Sequence, residues 1–279
     1  WWSMHLDNES WASGPKHAAT TAKTKKVIDF AAAHGFRGVL VEGWNPGWDG
    51  NWVGNGYDFD FTRATPDFDI EALSAYGLKK GVHLLGHHET GCAIEHYEDQ
   101  LSAALDLYAR LGVDQFKTGY VCDDGQVDRR DPSGGPLWRE WHDGQFMARH
   151  HLKVVQEAAR RHLSVNPHEP IKDTGLRRTY PNWISREGAR GMEYNAWGQP
   201  PNPPEHEVNL VFTRMLAGPM DYTPGILSLK GRHGQAIPST LARQLALYVV
   251  LYSPIQMAAD LPEHYLQHRE AFRFIEDVA

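Results

Sequence analysis

Carboxylates recur in this chain where a short apolar run gives way to a polar turn. Val41-Glu42-Gly43-Trp44, Gly86-His87-His88-Glu89 and Asn166-Pro167-His168-Glu169 each close such a run. Arg186-Glu187 leads on to Met192-Glu193-Tyr194, and Lys117 and Asp221 close two further runs. Carboxyl groups brought together can divide labour. One stays protonated and donates to a leaving oxygen, while another stays ionised and activates water. Crowded carboxylates also raise one another's pKa unless something positive offsets them. Lys117, neighbouring Arg and His side chains, or a bound cation could supply that offset. A hard cation such as Ca²⁺ takes several carboxylate oxygens, and Glu169, Glu187 and Glu193 could supply three. The absence of soft ligands disfavours zinc, although His87, His88 and His168 keep it open.

Each residue alone has a plainer reading. A Glu at a strand end is more often a salt-bridge partner than a catalyst. His168 could be a satisfied loop histidine, Asp221 could fix a turn before Pro224, and Trp44, Trp48 and Trp52 could be loop packing. The plain reading weakens for the set, because it must explain carboxylates at nearly every strand end. Side chains alternate along a strand, so only one of His87 and His88 faces the same way as Glu89. That one is His87, two positions away.

The elements that would position these residues follow a strand-then-helix rhythm, which implies parallel strands joined by helical crossovers. Eight strands are expected, at Trp1–His5, Gly38–Glu42, Val82–His87, Gln115–Val121, Leu163–Asn166, Trp183–Arg186, Met220–Thr223 and Ile255–Ala258. Amphipathic helices are expected over Thr20–His34, Tyr97–Leu111, Gln145–His162 and Ser239–Tyr252. The first should bury Val27, Ile28, Phe30 and Ala31; the second Leu101, Leu105, Tyr108 and Leu111. Eight such steps predict an α/β fold of the closed (β/α)₈ TIM-barrel type, one catalytic domain over residues 1–279. The runner-up is an open doubly wound sheet, which would need a Gly-rich phosphate turn after its first strand; none is present. Three loops at 43–69, 123–141 and 198–205 should lie on the carboxyl-end face, where barrel chemistry sits.

The bulk properties narrow the function. The net charge is −7, from 28 basic and 35 acidic residues, with no basic stripe, so a nucleic-acid partner is not expected. No apolar run is long enough to span a bilayer. Ten Trp and eleven Tyr suit sugar stacking and a large core alike. Cys92 and Cys122 each follow a strand end and are read as two free thiols. The chain starts inside an apolar segment and stops abruptly at Val278-Ala279, so it is expected to be cut from a longer one.

These residues resemble glycoside hydrolase family 97, a family of bacterial α-glucosidases and α-galactosidases of polysaccharide utilisation. The resemblance rests on Ser13–Thr21, Val41–Asn45, Gly86–Thr90, Lys117-Thr118-Gly119, Asn166–Glu169, Arg178–Asn182, Glu187–Tyr194 and Gly218–Gly225. It implies a central (β/α)₈ barrel flanked by an N-terminal β-supersandwich and a C-terminal β-sandwich, neither present here. Retaining members carry an Asp nucleophile two residues after the lysine that ends strand four; inverting members carry Gly. Gly119 therefore resembles the inverting, α-glucosidase-like branch. That branch implies Glu193 as general acid, Glu89 and Glu169 as general bases, and Ca²⁺ held by Glu169, Glu187 and Glu193 with a glutamate from the N-terminal domain. It also implies sugar contacts from Glu42, His87, Lys117 and His168, and a periplasmic or secreted setting. Inversion requires the acid and base roughly 6.5–9.5 Å apart, leaving room for a water. The expected activity is hydrolysis of terminal α-glucosidic bonds in maltooligosaccharides, as in starch utilisation. Alternatives are a retaining α-galactosidase with Asp123 or Asp124 as nucleophile, and a sugar-binding protein without turnover.

Overall fold

The computed structural model describes residues 1–122 and 125–278. Its centre is a four-stranded parallel sheet of β1 (Gly38–Leu40), β2 (His83–Glu89), β3 (Gln115–Gly119) and β6 (Ser164–Pro167), in the order β1-β2-β3-β6. Between β3 and β6 the chain makes a separate antiparallel hairpin of β4 (Gln126–Arg129) and β5 (Trp138–Trp141). The sheet register sets His87 beside Lys117 and Glu89 beside Gly119, while Lys117 pairs with Asn166. All the sheet's polar stops therefore lie at its carboxyl end.

The crossover helices follow from apolar spacing and capping. Helix α2 (Thr21–Ala33) begins where the Thr20 hydroxyl accepts the Lys23 N–H, and α3 (Ile70–Leu78) where Asp69 accepts the Ala72 N–H. Helix α4 (Ile94–Arg110) buries Tyr97, Leu101, Leu105 and Tyr108 on one face, and α5 (Gln145–Ala159) buries Met147, Val154 and Val155. These faces cover the sheet in a single core with Phe116, Val165, Phe59 and Phe61. Each such side chain contributes about 1.5–3 kcal/mol on burial. Val27 departs from the expected face of α2: it is exposed, while Thr24 takes the inward position with Ile28 and Ala31.

Four of the eight expected strands form ladders, and the expected closed barrel is not completed by ladders among the described residues. Trp1–His5 is not a strand: Trp2–His5 is a helical turn (α1), closed by the His5 N–H on the Trp1 carbonyl. Trp183–Arg186 makes only one bridge, Val165 with Trp183. Met220–Thr223 is bounded by Pro219 and Pro224, which lack donors, and Thr223 turns out of extended geometry at φ 54°. Ile255–Ala258 follows Pro254 and likewise pairs with no strand. Two of them, Trp183–Arg186 and Met220–Thr223, still chain onto β6 through single hydrogen bonds. Ile184 N–H donates to Val165 O, Asp221 N–H to Arg186 O, and Met220 N–H to Tyr252 O. Around them pack α6 (Tyr194–Trp197), α7 (Pro204–Phe212), α8 (Leu241–Val250), α9 (Pro262–Gln267) and α10 (Arg269–Val278).

The cysteines also correct the sequence reading. Cys92 and Cys122 are joined in a disulfide with Cα atoms 5.5 Å apart, tying the start of α4 to the loop after β3. Spacing alone could not show this, because the two strand ends meet only when β2 and β3 pair.

Strand β2 is locked to α4 at Gly86 and His87. The Tyr108 hydroxyl accepts the His87 N–H at 3.0 Å. A Cβ on Gly86 would overlap the Tyr108 ring and stand 2.9 Å from Phe116 Cβ. We therefore expect Gly86→Ala to destabilise the protein by about 1–3 kcal/mol through overpacking. Denaturant unfolding measures this; a change below 0.5 kcal/mol would contradict the packing described.

Candidate active site

Two neighbouring amides on the loop after β3 organise the mouth of the sheet. The Tyr120 N–H donates to Glu169 Oε2 at 3.0 Å, and the Val121 N–H donates to Glu89 Oε1 at 3.2 Å. Glu89 Oε1 also accepts the Gly91 N–H. The two glutamates, from different strands, are thus held by adjacent peptide groups. Glu169 pays for its position with a left-handed backbone at φ 42°, uncommon for a residue with a side chain. Such geometry concentrates at functional sites.

Beneath them lies a buried ion pair. Lys117 Nζ donates to Glu42 Oε1 at 2.8 Å, and both side chains are under a tenth exposed. Trp11 Nε1–H donates to Glu42 Oε2, and His87 Nε2 stands 3.6 Å from Oε1. Burial works to raise the Glu42 pKa, but Lys117, His87 and His5 together hold it well below the ordinary 4.5. Burial likewise works to lower Lys117, and Glu42 and Glu193 overcome it, so the ammonium is retained. Burial pushes His87 down to about 3, leaving it neutral. Its Nδ1 is buried without a hydrogen-bond partner, as is Asn166 Oδ1. Buried polar atoms of this kind are what a ligand hydroxyl would satisfy. Alternation holds as expected: His88 faces away, bonded to the Tyr97 hydroxyl and stacked on Tyr108.

The second group lines a cleft of about 400 Å³ whose walls include Glu169, Glu187 and Glu193, with His142, Asp143 and Tyr194. Glu42, His87, Glu89 and Lys117 lie outside that lining. Burial, then the Glu169 charge, raises both Glu89 and Glu193 to about 8. Burial, then Glu193 and Glu169, raises Glu187 well above the ordinary range. His168 joins the groups, with Nε2 at 2.8 Å from Asp221 Oδ2 and Nδ1 at 3.5 Å from Glu187 Oε2. Asp221 also accepts from Asn166; burial opposes its ionisation, but the His168 and Asn166 bonds hold its pKa down. Among the described residues no three His, Cys, Asp or Glu side chains stand in ready ligating geometry. The donor set of Glu169, Glu187 and Glu193 is nonetheless all hard oxygen, and its mutual repulsion is what a dication would relieve.

Sequence reasoning overlooked two residues. Trp11 bonds Glu42 from a segment with no motif, and His5 Nε2 stands 3.4 Å from Glu193 Oε2 on what was expected to be a strand. Asp221 was visible as a strand-end acid, but its partnership with His168 was not. Asp123 and Asp124, the alternative nucleophiles, lie outside the described residues.

Removing Glu42 would strand a buried ammonium, so Glu42→Gln is expected to cost about 3–5 kcal/mol at neutral pH. The folded pKa of Glu42 lies below its unfolded value. Its contribution is therefore complete above about pH 4.5 and fades as pH falls through the folded value. Unfolding free energies of parent and variant should converge in acid; a gap that stays constant down through that range would refute this account.

The family model for glycoside hydrolase 97 matches residues 1–189. A retaining alpha-galactosidase of Bacteroides thetaiotaomicron is 29% identical over all of this chain, which covers 38% of that protein. A probable retaining alpha-galactosidase of Streptomyces bingchenggensis is 28% identical over 96% of the chain and 37% of its own length. A solved glycoside hydrolase family 97 enzyme from Pseudoalteromonas sp. strain K8, in complex with acarbose, superposes with a TM-score of 0.95 at 59% identity. The match covers all of this chain and 42% of that one. A variant of the same enzyme in complex with panose superposes equally well. The chain thus spans about two fifths of the length of these relatives. On the match over residues 1–189 and the superposition across its whole length, the chain belongs to glycoside hydrolase family 97.

Proposed function

We propose that this chain is the catalytic (β/α)₈ domain of an inverting, calcium-dependent exo-α-glucosidase, periplasmic or secreted, acting on maltooligosaccharides. The observation that carries inversion is at Gly119. A Cβ there would overlap Glu89 Oε2 and stand 2.8 Å from its Cδ. The volume that a side-chain nucleophile at 119 would fill is taken by the carboxylate of Glu89. The solved relative in complex with acarbose, and its variant in complex with panose, favour α-glucosides. The named relatives of the retaining α-galactosidase type are under a third identical and favour the second reading.

In this mechanism Glu193 is the general acid. Burial and the Glu169 charge raise Glu193 and Glu89 alike, so position separates their roles: Glu193 lines the open cleft where a leaving oxygen would lie, whereas Glu89 is anchored by the Gly91 and Val121 amides. Glu89 and Glu169, held by adjacent amides, are the bases that orient and deprotonate the attacking water. Glu42, Lys117, His87 and His168 grip the hydroxyls of the terminal sugar, using the unpartnered His87 Nδ1. Glu169, Glu187 and Glu193 would hold calcium, which would supply positive charge that keeps the base Glu169 ionised beside the water.

Proton NMR of the first-formed glucose tests the stereochemistry. An α-glucoside should yield β-glucose first; initial α-glucose would sink inversion. Glu193→Gln should lower kcat by about 10²–10⁴ while the protein still binds substrate.

Calcium is tested separately by thermal denaturation of the intact enzyme. Calcium at about a hundredfold over its dissociation constant should stabilise by about 2.7 kcal/mol, and Glu187→Gln should shrink that gain. A melting temperature indifferent to calcium would remove the metal from the proposal.

A further inference from the structure

The β4–β5 hairpin has no part in the chemistry above, yet it stands at the edge of the cleft. Its last residue, Trp141, pairs with Gln126 and immediately precedes His142 and Asp143, which line the cleft with Glu169 and Glu193. The Trp141 ring lies over Gly125, at the far end of the loop whose amides hold Glu89 and Glu169. Trp141 is 57% exposed, although indole is among the most readily buried side chains.

The hairpin is firmly mounted. Val127 is fully buried, and the Asp128 N–H donates to the Cys92 carbonyl beside the disulfide. Arg130 bonds Glu95 and Asp99 of α4. The opposite face has its own partner for its aromatic ring: Arg129 lies over the Trp138 ring at 5.5 Å and over Phe146 at 5.3 Å. The Trp141 face instead has polar neighbours, with Arg139 bonded to Asp128 at 2.9 Å and Gln126 across the strand. The Tyr57 hydroxyl also bonds Asp128 on this face, so the indole stands among fixed polar groups and makes no contiguous apolar patch of the kind a protein partner would cover. It suits a pyranose, which offers a C–H face to the ring and hydroxyls to the groups around it.

We propose that Trp141 is a stacking platform for the leaving-group side of the substrate, binding sugar units beyond the bond that is cut. This rests on the proposed glycosidase reading and adds to it a structural source of chain-length preference. Stacking there holds the remote units without touching the reacting carboxyls, so it acts on long substrates and leaves one with no leaving sugar unaffected.

The test compares maltohexaose with α-glucosyl fluoride, which has no leaving sugar, using the intact enzyme and its Trp141→Ala variant. The ratio of kcat/KM, maltohexaose over fluoride, should fall about tenfold in Trp141→Ala and be largely kept in Trp141→Phe. Trp138→Ala should leave the ratio unchanged. An unchanged ratio in Trp141→Ala, an equal loss on both substrates, or the same fall in Trp138→Ala would overturn the assignment. The parent enzyme separates this from failure of the α-glucosidase reading. If it hydrolyses α-galactosyl fluoride instead, that reading fails, and the Trp141 ratio is taken between a long α-galactoside and the galactosyl fluoride.

Discussion

One buried ammonium has to serve a crowd of acids. Lys117 is bonded to Glu42, and the remaining charge of Glu89, Glu169, Glu187 and Glu193 reaches it only through space. Burial makes every ionised carboxyl costly, and proximity makes each additional one costlier. The structure answers in three ways. It aims backbone amides at Glu89 and Glu169, it gives Asp221 two donors, and it leaves Glu89, Glu187 and Glu193 inclined to hold protons. The third response matters for chemistry, because a carboxyl that keeps its proton near neutral pH is a usable acid. Positions of the helices and loops around the mouth can be read as means of holding these groups together against repulsion.

Much of this site was legible because parallel strands stop at one edge and polar residues mark the stop. Glu42, Glu89, Lys117 and Glu169 could be placed at the mouth from that rule alone, and alternation separated His87 from His88. What was illegible depended on long-range pairing. The Trp11 bond to Glu42 joins residues 31 apart, and nothing local marks Trp11 as its partner. Cys92 and Cys122 meet only because their strands are adjacent. The second half of the chain was harder still. Prolines 219, 224 and 254 remove ladder donors, so apolar runs that read as strands fold as extended wall segments held by single hydrogen bonds. Apolar periodicity reports which face is buried and is silent on whether a neighbour can complete a ladder.

The two halves of the site differ in how they are bonded. Glu42, Lys117 and Asp221 are enclosed and bonded to charged or aromatic partners, a geometry suited to reading fixed hydroxyls on one sugar. Glu193 sits at the start of the single-turn helix α6, with His5 Nε2 at 3.4 Å from its Oε2. Under the proposed mechanism this carboxyl is the acid, and it stands apart from the enclosed group that reads the sugar. Recognition and acid would then belong to different segments, the first around Lys117 of β3 and the second in the loop before α6.

Gly119 connects this division to stereochemistry. The register fixes residue 119 opposite Glu89, so any side chain at 119 and the Glu89 carboxyl compete for the same volume. Under the proposed mechanism a carboxylate at 119 would approach the sugar directly, whereas Glu89, anchored by the Gly91 and Val121 amides, would hold a water instead. Both arrangements need a carboxylate on the same side of the sheet mouth, and both are compatible with the same Lys117, Glu42 and Glu193. Under the proposed mechanism, the choice between inversion and retention therefore reduces to which of two paired positions supplies the carboxyl.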